Sequence, residues 1–200
     1  MEITSELVRT LRDKTGAGMM DCKKALTESG GSMDKAIEIL RKKGAATAEK
    51  RADRATNQGV VEAYIHAGGR IGTLVELNCE TDFVAKTDDF KALAREIAMQ
   101  IAAMNPSYIN RDQVPSDILE REMEIYKTHA RNEKKPEQVI DKIAQGRLEK
   151  YYQENCLLDQ TFIKDSGKTI KDLILDTTSK TGEKITVRRY QRFHLGEAAQ

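Results

Sequence analysis

The stretch NCETDFVAKTDDF, residues 78–90, lies where an alternating apolar segment stops and a helical pattern begins. Before it, residues 60–77 have the period of two that predicts a β-hairpin turning at Gly68-Gly69. After it, apolar residues at helical spacing predict a long helix that stops before Pro106: Phe90, Leu93, Ile97, Ile101 and Met104. Phe83 stands alone between the two patterns. It either folds back into the core or is held out for something else to bury.

Segments further along the chain extend these elements into a mixed domain. The run from Ile118 to about Lys135 predicts another helix, and a further helix opens at Pro136, a residue favoured in the first helical turn. Ile185 and Val187, with the aromatic residues that follow them, predict a strand that returns to the sheet. We therefore expect residues 55–200 to form an α+β core domain in which helices pack on a small antiparallel sheet.

Residues 1–54 predict a module of three short helices, because apolar residues recur at helical spacing between glycines. The three apolar stripes are Leu7, Val8 and Leu11, then Met19, Cys22 and Leu26, then Met33, Ile37 and Leu40. Gly44 is predicted to end the third helix. The segment Ala45 to Thr56 has alanine and charge without large apolar residues, so we interpret it as a linker or a weakly packed helix that marks a domain boundary.

Two adjacent methionines open the second of these helices, in GMMDCKKAL, residues 18–26. Only one of them is expected to join the apolar stripe, because neighbouring residues of a helix face different directions. The other is a candidate for adaptable contact with a partner protein. For Met20 the alternative is that it merely completes the packing of the small bundle.

The composition is that of a globular chain without a dominant charge. Of the 200 residues 39% are apolar, and the 33 Lys and Arg residues nearly balance the 32 Asp and Glu residues. The three cysteines, Cys22, Cys79 and Cys156, are odd in number and widely spaced, which favours buried, reduced thiols over a disulfide framework or a zinc site. No signal-peptide pattern precedes the first helix, so we expect a cytoplasmic protein that does not bind membranes.

No motif typical of catalysis, metal binding or cofactor binding is evident in the sequence. The three histidines, His66, His129 and His194, are far apart and have no zinc, haem or triad spacing. HAGGRIG, residues 66–72, has glycines, but their spacing does not match a nucleotide-binding loop, and the segment joins two strands. Carboxylates are many, but none is flanked by a nucleophile or by metal ligands. We therefore predict no catalytic residues, no bound metal, no cofactor and no enzymatic activity.

Two classes of binding protein remain as alternatives. RRYQRFH, residues 188–194, interleaves cations with aromatic residues, as in surfaces that bind RNA. A strand divides these cations between its two faces, so we expect no direct contact with nucleic acid. The three-helix module, for its part, is a candidate adaptor for ubiquitin-like or other proteins.

Two motifs, RDKTGAGMMDCKKAL (residues 12–26) and NCETDFVAKTDDF, together resemble the bacterial translation elongation factor Ts family. Both motifs are long and specific, and they occur in the family's order. Weaker similarity continues in GRLEKYY, residues 146–152, and in LLDQTFI, residues 157–163, so the resemblance covers essentially the whole chain. It implies that residues 1–54 form a three-helix module similar to ubiquitin-associated (UBA) domains.

The resemblance also implies a function, that of guanine nucleotide exchange factor for elongation factor Tu, the GTPase that carries aminoacyl-tRNA to the ribosome. In the family, the stretch that matches Thr81, Asp82, Phe83 and Val84 is pushed against the nucleotide domain of the GTPase, where it disturbs the Mg²⁺ site and the phosphate-binding loop. Phe83 is therefore expected to be held out for burial in the partner. Asp82 is expected either to cap a helical turn or to compete for a polar group near the metal.

A second set of residues, Arg12, Met19 and Met20, matches positions that touch the GTPase in relatives. The resemblance further implies pairing of the chain with itself. Longer members of the family have two similar core halves, whereas this chain has a single hairpin-plus-helix unit and resembles the short form. We therefore expect a homodimer, and a complex that holds two copies of each protein.

Overall fold

The computed structural model describes residues 3–197, without the side chains of residues 45, 48 and 49. Its α-helices are α1 (Ser5–Thr15), α2 (Met19–Glu28), α3 (Met33–Lys50), α4 (Asp82–Ala85), α5 (Asp88–Met104), α6 (Ser116–Asn132), α7 (Glu137–Asn155) and α8 (Ile170–Thr181). Its strands are β1 (Gln58–Ile65), β2 (Ile71–Cys79), β3 (Thr161–Phe162), β4 (Asp165–Thr169) and β5 (Thr186–His194). This mixture of helices and small antiparallel sheets confirms the predicted α+β class.

Helices α1, α2 and α3 form the predicted N-terminal bundle around a small core of its own. The α1 helix begins after Thr4, whose hydroxyl accepts a hydrogen bond from the Leu7 amide at 3.2 Å, and ends where Gly16 adopts a left-handed φ of 67°. The buried side chains of this core are Val8, Leu11, Ala17, Cys22, Ala25, Leu26, Ala36 and Leu40. Apart from Ala17, which lies between α1 and α2, these residues lie at helical spacing, which is the pattern that predicts the bundle.

The apolar stripe predicted for α2 is wrong at its first residue, Met19. Met19 and Met20 are both exposed, with 46% and 65% of their surface accessible, and the buried stripe begins only at Cys22. The Cys22 thiol lies 3.6 Å from the Ala17 carbonyl oxygen, so Ala17 takes the place in the core that Met19 was expected to fill. The bundle therefore presents two flexible apolar side chains to solvent.

Gly44 does not end the third helix as predicted, because α3 continues to Lys50. The glycine is buried, and a methyl group on its α-carbon would clash with the Ser179 hydroxyl of α8. An ion pair between Arg41 and Asp172, at 2.7 Å, also joins the two helices. Gly44 thus permits close packing of α3 on α8, and its lack of a side chain is not a termination signal here.

Strands β1 and β2 form the predicted hairpin, and HAGGRIG makes its turn. The His66 amide donates to the Ile71 carbonyl oxygen at 2.9 Å, while Gly68 and Gly69 take left-handed φ values of 88° and 68°. Alternate residues of β2 are buried, namely Thr73, Val75, Leu77 and Cys79. The predicted returning strand is β5, which completes a three-stranded sheet in the order β1-β2-β5.

Helix α5 carries the predicted apolar stripe, of which all members except Met104 are buried. The Thr73 hydroxyl donates to the Ala98 carbonyl oxygen at 2.9 Å and so ties β2 to this helix. The helix ends at Met104, two residues before Pro106, as predicted.

The next two helices, α6 and α7, are also confirmed, and they lie side by side. Ion pairs join them at Lys127–Asp141 (2.8 Å) and Arg147–Glu133 (2.9 Å). Pro136 directly precedes α7, in agreement with the predicted helix start.

Helix α8 and the β3–β4 hairpin are absent from the sequence-based prediction. The buried face of α8 consists of Ile170, Ile174, Thr177 and Thr178, a helical spacing in which half of the residues are threonines. Two buried isoleucines are a weak apolar signal, so the pattern does not stand out in the sequence.

The chain divides into two compact units. The first comprises the residues up to Ala63, Leu74–Glu96 and Asp172–Gln191. The second comprises Tyr64–Thr73, Ile97–Lys171 and the residues from Arg192 onwards. The predicted boundary near residue 54 stays a prediction, and residues 1, 2 and 198–200 of the predicted domains lie outside the described residues.

The three cysteines are free, and their predicted burial is confirmed. Burial raises the pKa of Cys156 to about 11 and also raises the pKa of Cys22. A thiol with so high a pKa holds little of the reactive thiolate at neutral pH.

Candidate partner-binding site

The candidate site is the Phe83 turn, residues 81–85, which follows strand β2 in the first unit. Thr81 has extended φ and ψ angles of −126° and 157°, and its hydroxyl accepts a hydrogen bond from the Val84 amide at 3.4 Å. Thr81 is therefore the N-cap of α4. Asp82 is the first residue within the helix, so the alternative that Asp82 caps it is wrong.

The Phe83 ring projects away from the body of the protein, with 79% of the residue accessible to solvent. Its neighbours Val84 and Ala85 are buried and fasten the turn to the interior. Val84 thus supports the turn from below, and its predicted contact with the GTPase stays a prediction. Exposure of a large apolar side chain to water is unfavourable, and burial of the ring in a partner would contribute favourable free energy to binding.

Asp82 lies beside Phe83 and is partly exposed. Its carboxylate accepts a hydrogen bond from the Lys86 ammonium at 2.6 Å, one helical turn further along the chain. This bond is the main cause that lowers the pKa of Asp82. The carboxylate is therefore ionised at neutral pH and retains free acceptor capacity toward an incoming cation or N–H group.

Two glutamates on separate segments hold the base of the Phe83 turn. The Glu183 carboxylate accepts hydrogen bonds from the amides of Glu80 (3.1 Å) and Thr81 (3.0 Å) and from the Thr81 hydroxyl (2.6 Å). In return, the Glu80 carboxylate accepts a hydrogen bond from the Lys184 amide at 2.7 Å. We call this reciprocal arrangement of Glu80 and Glu183 the glutamate clamp.

The same clamp is connected to the segment that follows α3. Guanidinium groups of Arg51 and Arg54 lie 3.3 Å and 2.8 Å from the Glu80 carboxylate, and the Lys184 ammonium donates to the Arg54 carbonyl oxygen at 3.0 Å. Burial alone would raise the pKa of Glu80, but the hydrogen bonds from the Lys184 amide and from Arg54 outweigh it and lower the pKa. The clamp therefore joins the predicted linker to the Phe83 turn.

Cys79 lies beneath the turn. Its thiol donates to the Thr81 carbonyl oxygen at 3.1 Å, and burial, with a contribution from the Glu183 carboxylate, raises its pKa to about 11. The side chain therefore stays a neutral thiol and acts here as a small donor to the backbone.

The second predicted set, Arg12, Met19 and Met20, lies on α1 and α2 with all three side chains exposed. These residues belong to the same compact unit as the Phe83 turn but to different elements. Their predicted contact with a GTPase stays a prediction.

Sequence reasoning missed the residues that hold the turn in place. Glu183 is about a hundred positions from Thr81 along the chain, and neither clamp glutamate belongs to a motif with chemical spacing. Only the pairing of β2 with β5 in one sheet brings together the segment after β2 and the segment before β5.

Within residues 3–197, no group of three His, Cys, Asp or Glu side chains is arranged to hold a metal ion. The same residues contain no helix with the length and apolar character needed to cross a membrane.

The chain is similar in sequence to known proteins over nearly its whole length. The family model for elongation factor Ts matches residues 1–197. The elongation factor Ts of Thermoanaerobacter sp. (strain X514) is 59% identical over 198 residues, covering 99% of this chain and 97% of the relative. That of Carboxydothermus hydrogenoformans is 60% identical over 195 residues, covering 98% and 90%, and that of Moorella thermoacetica is 60% identical over 190 residues, covering 95% and 94%.

Elongation factor Ts is the nucleotide exchange factor of elongation factor Tu and performs no bond-making or bond-breaking chemistry. The exposed apolar turn is consistent with that role. By the extent of these matches, the chain belongs to the elongation factor Ts family.

Proposed function

We propose that the chain binds the GDP-bound form of elongation factor Tu in the cytoplasm and inserts the segment Thr81–Val84 beside the nucleotide. The insertion displaces Mg²⁺ from the GTPase and promotes release of GDP, so that GTP can bind. The observation that carries this proposal is the exposure of Phe83 on a turn whose neighbouring residues are buried and hydrogen-bonded. A side chain presented in this way is already in position before the partner arrives.

The chemistry of nucleotide binding explains why such an insertion is effective. A guanine nucleotide is held largely through its phosphates and a Mg²⁺ ion, so groups that disturb the metal weaken the strongest part of the site. Because coupling between two ligands is reciprocal, the exchange factor binds the nucleotide-free GTPase more tightly than the GDP-bound form by the same factor.

Free-energy magnitudes indicate that Phe83 does not act alone. A thousandfold weakening of GDP binding requires about 4 kcal/mol of differential binding. Burial of one phenylalanine supplies roughly 1.5 to 3 kcal/mol, only part of which is specific to the nucleotide-free state. We therefore propose a second contact surface at Arg12, Met19 and Met20, where an arginine and two methionines combine a polar anchor with adaptable apolar contact.

The alternative function in RNA binding receives less support from the side chains of RRYQRFH. Arg189 is ion-paired with Glu76 at 2.6 Å in the first unit, and Arg192 is ion-paired with Glu197 at 3.1 Å in the second. Cations that are engaged in this way are less available to phosphate groups.

Release of labelled GDP from preloaded elongation factor Tu tests the proposed function. We expect catalytic amounts of the protein to accelerate release and to show little salt-dependent affinity for tRNA in a parallel binding assay. Unaccelerated release combined with strong, salt-dependent binding of tRNA would favour the RNA-binding alternative instead.

We further propose that the chain pairs with a second copy through its sheet. Exposed apolar side chains occur on or next to the strands of the second unit: Ile65, Phe193 and Leu195. The order β1-β2-β5 also leaves β1 and β5 as edge strands among the described residues. A symmetric dimer would cover these side chains and yield a complex with two copies of each protein.

Sedimentation of the purified protein tests this pairing. We expect a dimer at micromolar concentration, and we expect Phe193→Asp to shift the equilibrium toward monomer, because a charged side chain resists burial against an apolar surface. A wild-type monomer at that concentration with full exchange activity rules out obligatory pairing.

A further inference from the structure

We propose that Glu183 is the residue that positions the Phe83 turn for nucleotide exchange. This inference rests on the proposed function and deepens it, because it concerns the same turn. Glu183 lies on a different segment from the turn and reaches it only through side-chain hydrogen bonds.

Glu183 accepts three hydrogen bonds, from the Glu80 amide, the Thr81 amide and the Thr81 hydroxyl. Bonds to an ionised acceptor are roughly twice as strong as bonds between neutral groups. The two residues that precede the α4 helix are therefore fixed to the segment that follows α8.

Thr81 links the Glu183 carboxylate to the rest of the turn. The Thr81 hydroxyl donates its single proton to Glu183 at 2.6 Å, which leaves its oxygen lone pairs directed elsewhere. One of them accepts the hydrogen bond from the Val84 amide at 3.4 Å. Glu183 thus orients the hydroxyl that caps the turn, and Phe83 lies between the two residues joined by that cap.

Glu183 is itself held in place by its neighbours along the chain. Helix α8 ends at Thr181, and Gly182 follows with a left-handed φ of 71°, a conformation that favours glycine. The Lys184 amide then donates to Glu80 at 2.7 Å, so the backbone on the far side of Glu183 is also held by the clamp. Because both sides of Glu183 are fixed, its carboxylate has little freedom to follow a moving turn.

The clamp limits the conformational freedom of the turn, and this limit is expected to favour nucleotide exchange. Without the clamp, residues 80 and 81 gain backbone freedom that must be lost again when Phe83 enters the partner. Misplacement of an inserting group reduces rate more than it reduces affinity supplied by another surface. Loss of the carboxylate is therefore expected to lower the maximal exchange rate, while binding through the N-terminal module is retained.

The experiment compares Glu183→Ala, Glu183→Gln, Phe83→Ala and the double variant Glu183→Ala/Phe83→Ala in labelled-GDP release from elongation factor Tu. We expect Glu183→Ala to lower the maximal rate about three- to tenfold with little change in half-saturating concentration. Glutamine keeps one acceptor oxygen for the Glu80 and Thr81 amides but has a donor in place of the oxygen that accepts from the Thr81 hydroxyl, so Glu183→Gln is expected to give a rate between those of Glu183→Ala and the wild type. The double variant is expected to be no slower than Phe83→Ala, because Glu183 acts through Phe83.

Amide hydrogen exchange supplies a readout that does not involve the GTPase. The Glu80 and Thr81 amides are expected to exchange faster in Glu183→Ala than in the wild type and to remain protected in Phe83→Ala. Unchanged protection in Glu183→Ala overturns the inference, and so does a further loss of rate when the two substitutions are combined. The proposed function itself fails if Phe83→Ala releases GDP as fast as wild type, whereas the positioning role fails if Phe83→Ala is slow and Glu183→Ala is not.

Discussion

Replacing Phe83 with alanine is expected to slow GDP release from elongation factor Tu by about three- to thirtyfold at saturating concentrations of the exchange factor, because only part of the burial free energy is specific to the nucleotide-free state. The expectation follows from the free energy of burying one phenylalanine ring, which the truncated side chain no longer provides. Because the ring is 79% exposed in the free protein, its removal leaves the interior intact. Stability toward urea is therefore expected to change by only about 0.5 kcal/mol.

A matched control for this variant is Ile125→Ala on helix α6. Ile125 is also an exposed apolar residue, and it has no proposed role in exchange. Its removal is expected to leave both GDP release and stability unchanged. If Phe83→Ala instead unfolds the protein, while exchange per folded molecule is normal, then Phe83 is a core residue and the proposed insertion is wrong.

The second large effect is expected from combined replacement of Arg12, Met19 and Met20 with alanine. Together the three side chains are expected to contribute about 2 to 3 kcal/mol to binding, so the affinity for nucleotide-free elongation factor Tu is expected to fall about 30- to 150-fold. Titration calorimetry measures this affinity directly. Since all three side chains are exposed, the fold of the bundle is expected to persist.

Met104→Ala serves as the control for methionine removal, because Met104 is similarly exposed, at 45%, and lies at the end of α5. Its affinity for the GTPase is expected to match that of the wild type. Undiminished affinity of the triple variant would show that this face of the bundle is dispensable for complex formation. Point variants are preferable to deletion of residues 1–54, since deletion also removes Arg51 and Arg54 from the glutamate clamp.

Much of the fold follows from patterns that are local in the sequence. The period of two in β1 and β2, the Gly68-Gly69 turn and the apolar stripe of α5 each specify one element and are confirmed. The exposure of Phe83 does not follow from these patterns, which leave it open whether the ring joins the core; the resemblance to the elongation factor Ts family predicts it.

Other features depend on contacts between distant segments and leave no local pattern. Gly44 has the sequence context of a helix end, but its role depends on Ser179, which packs against it from α8. Met19 fits the stripe of α2 by spacing, yet the helix begins at that residue and Ala17 occupies the end of the core. Glu183 is one acidic residue among 32, and only the folded sheet brings it to Thr81.

The proposed exchange mechanism depends most on the transfer of the Phe83 ring from water into the GTPase. Incorporation of 4-fluorophenylalanine at position 83 allows fluorine NMR to follow that ring in the free protein and in the complex with nucleotide-free elongation factor Tu. We predict that the resonance shifts on complex formation and loses its broadening by a soluble paramagnetic agent. A resonance that stays equally accessible to the agent in a complex that has released its GDP would contradict the proposed mechanism.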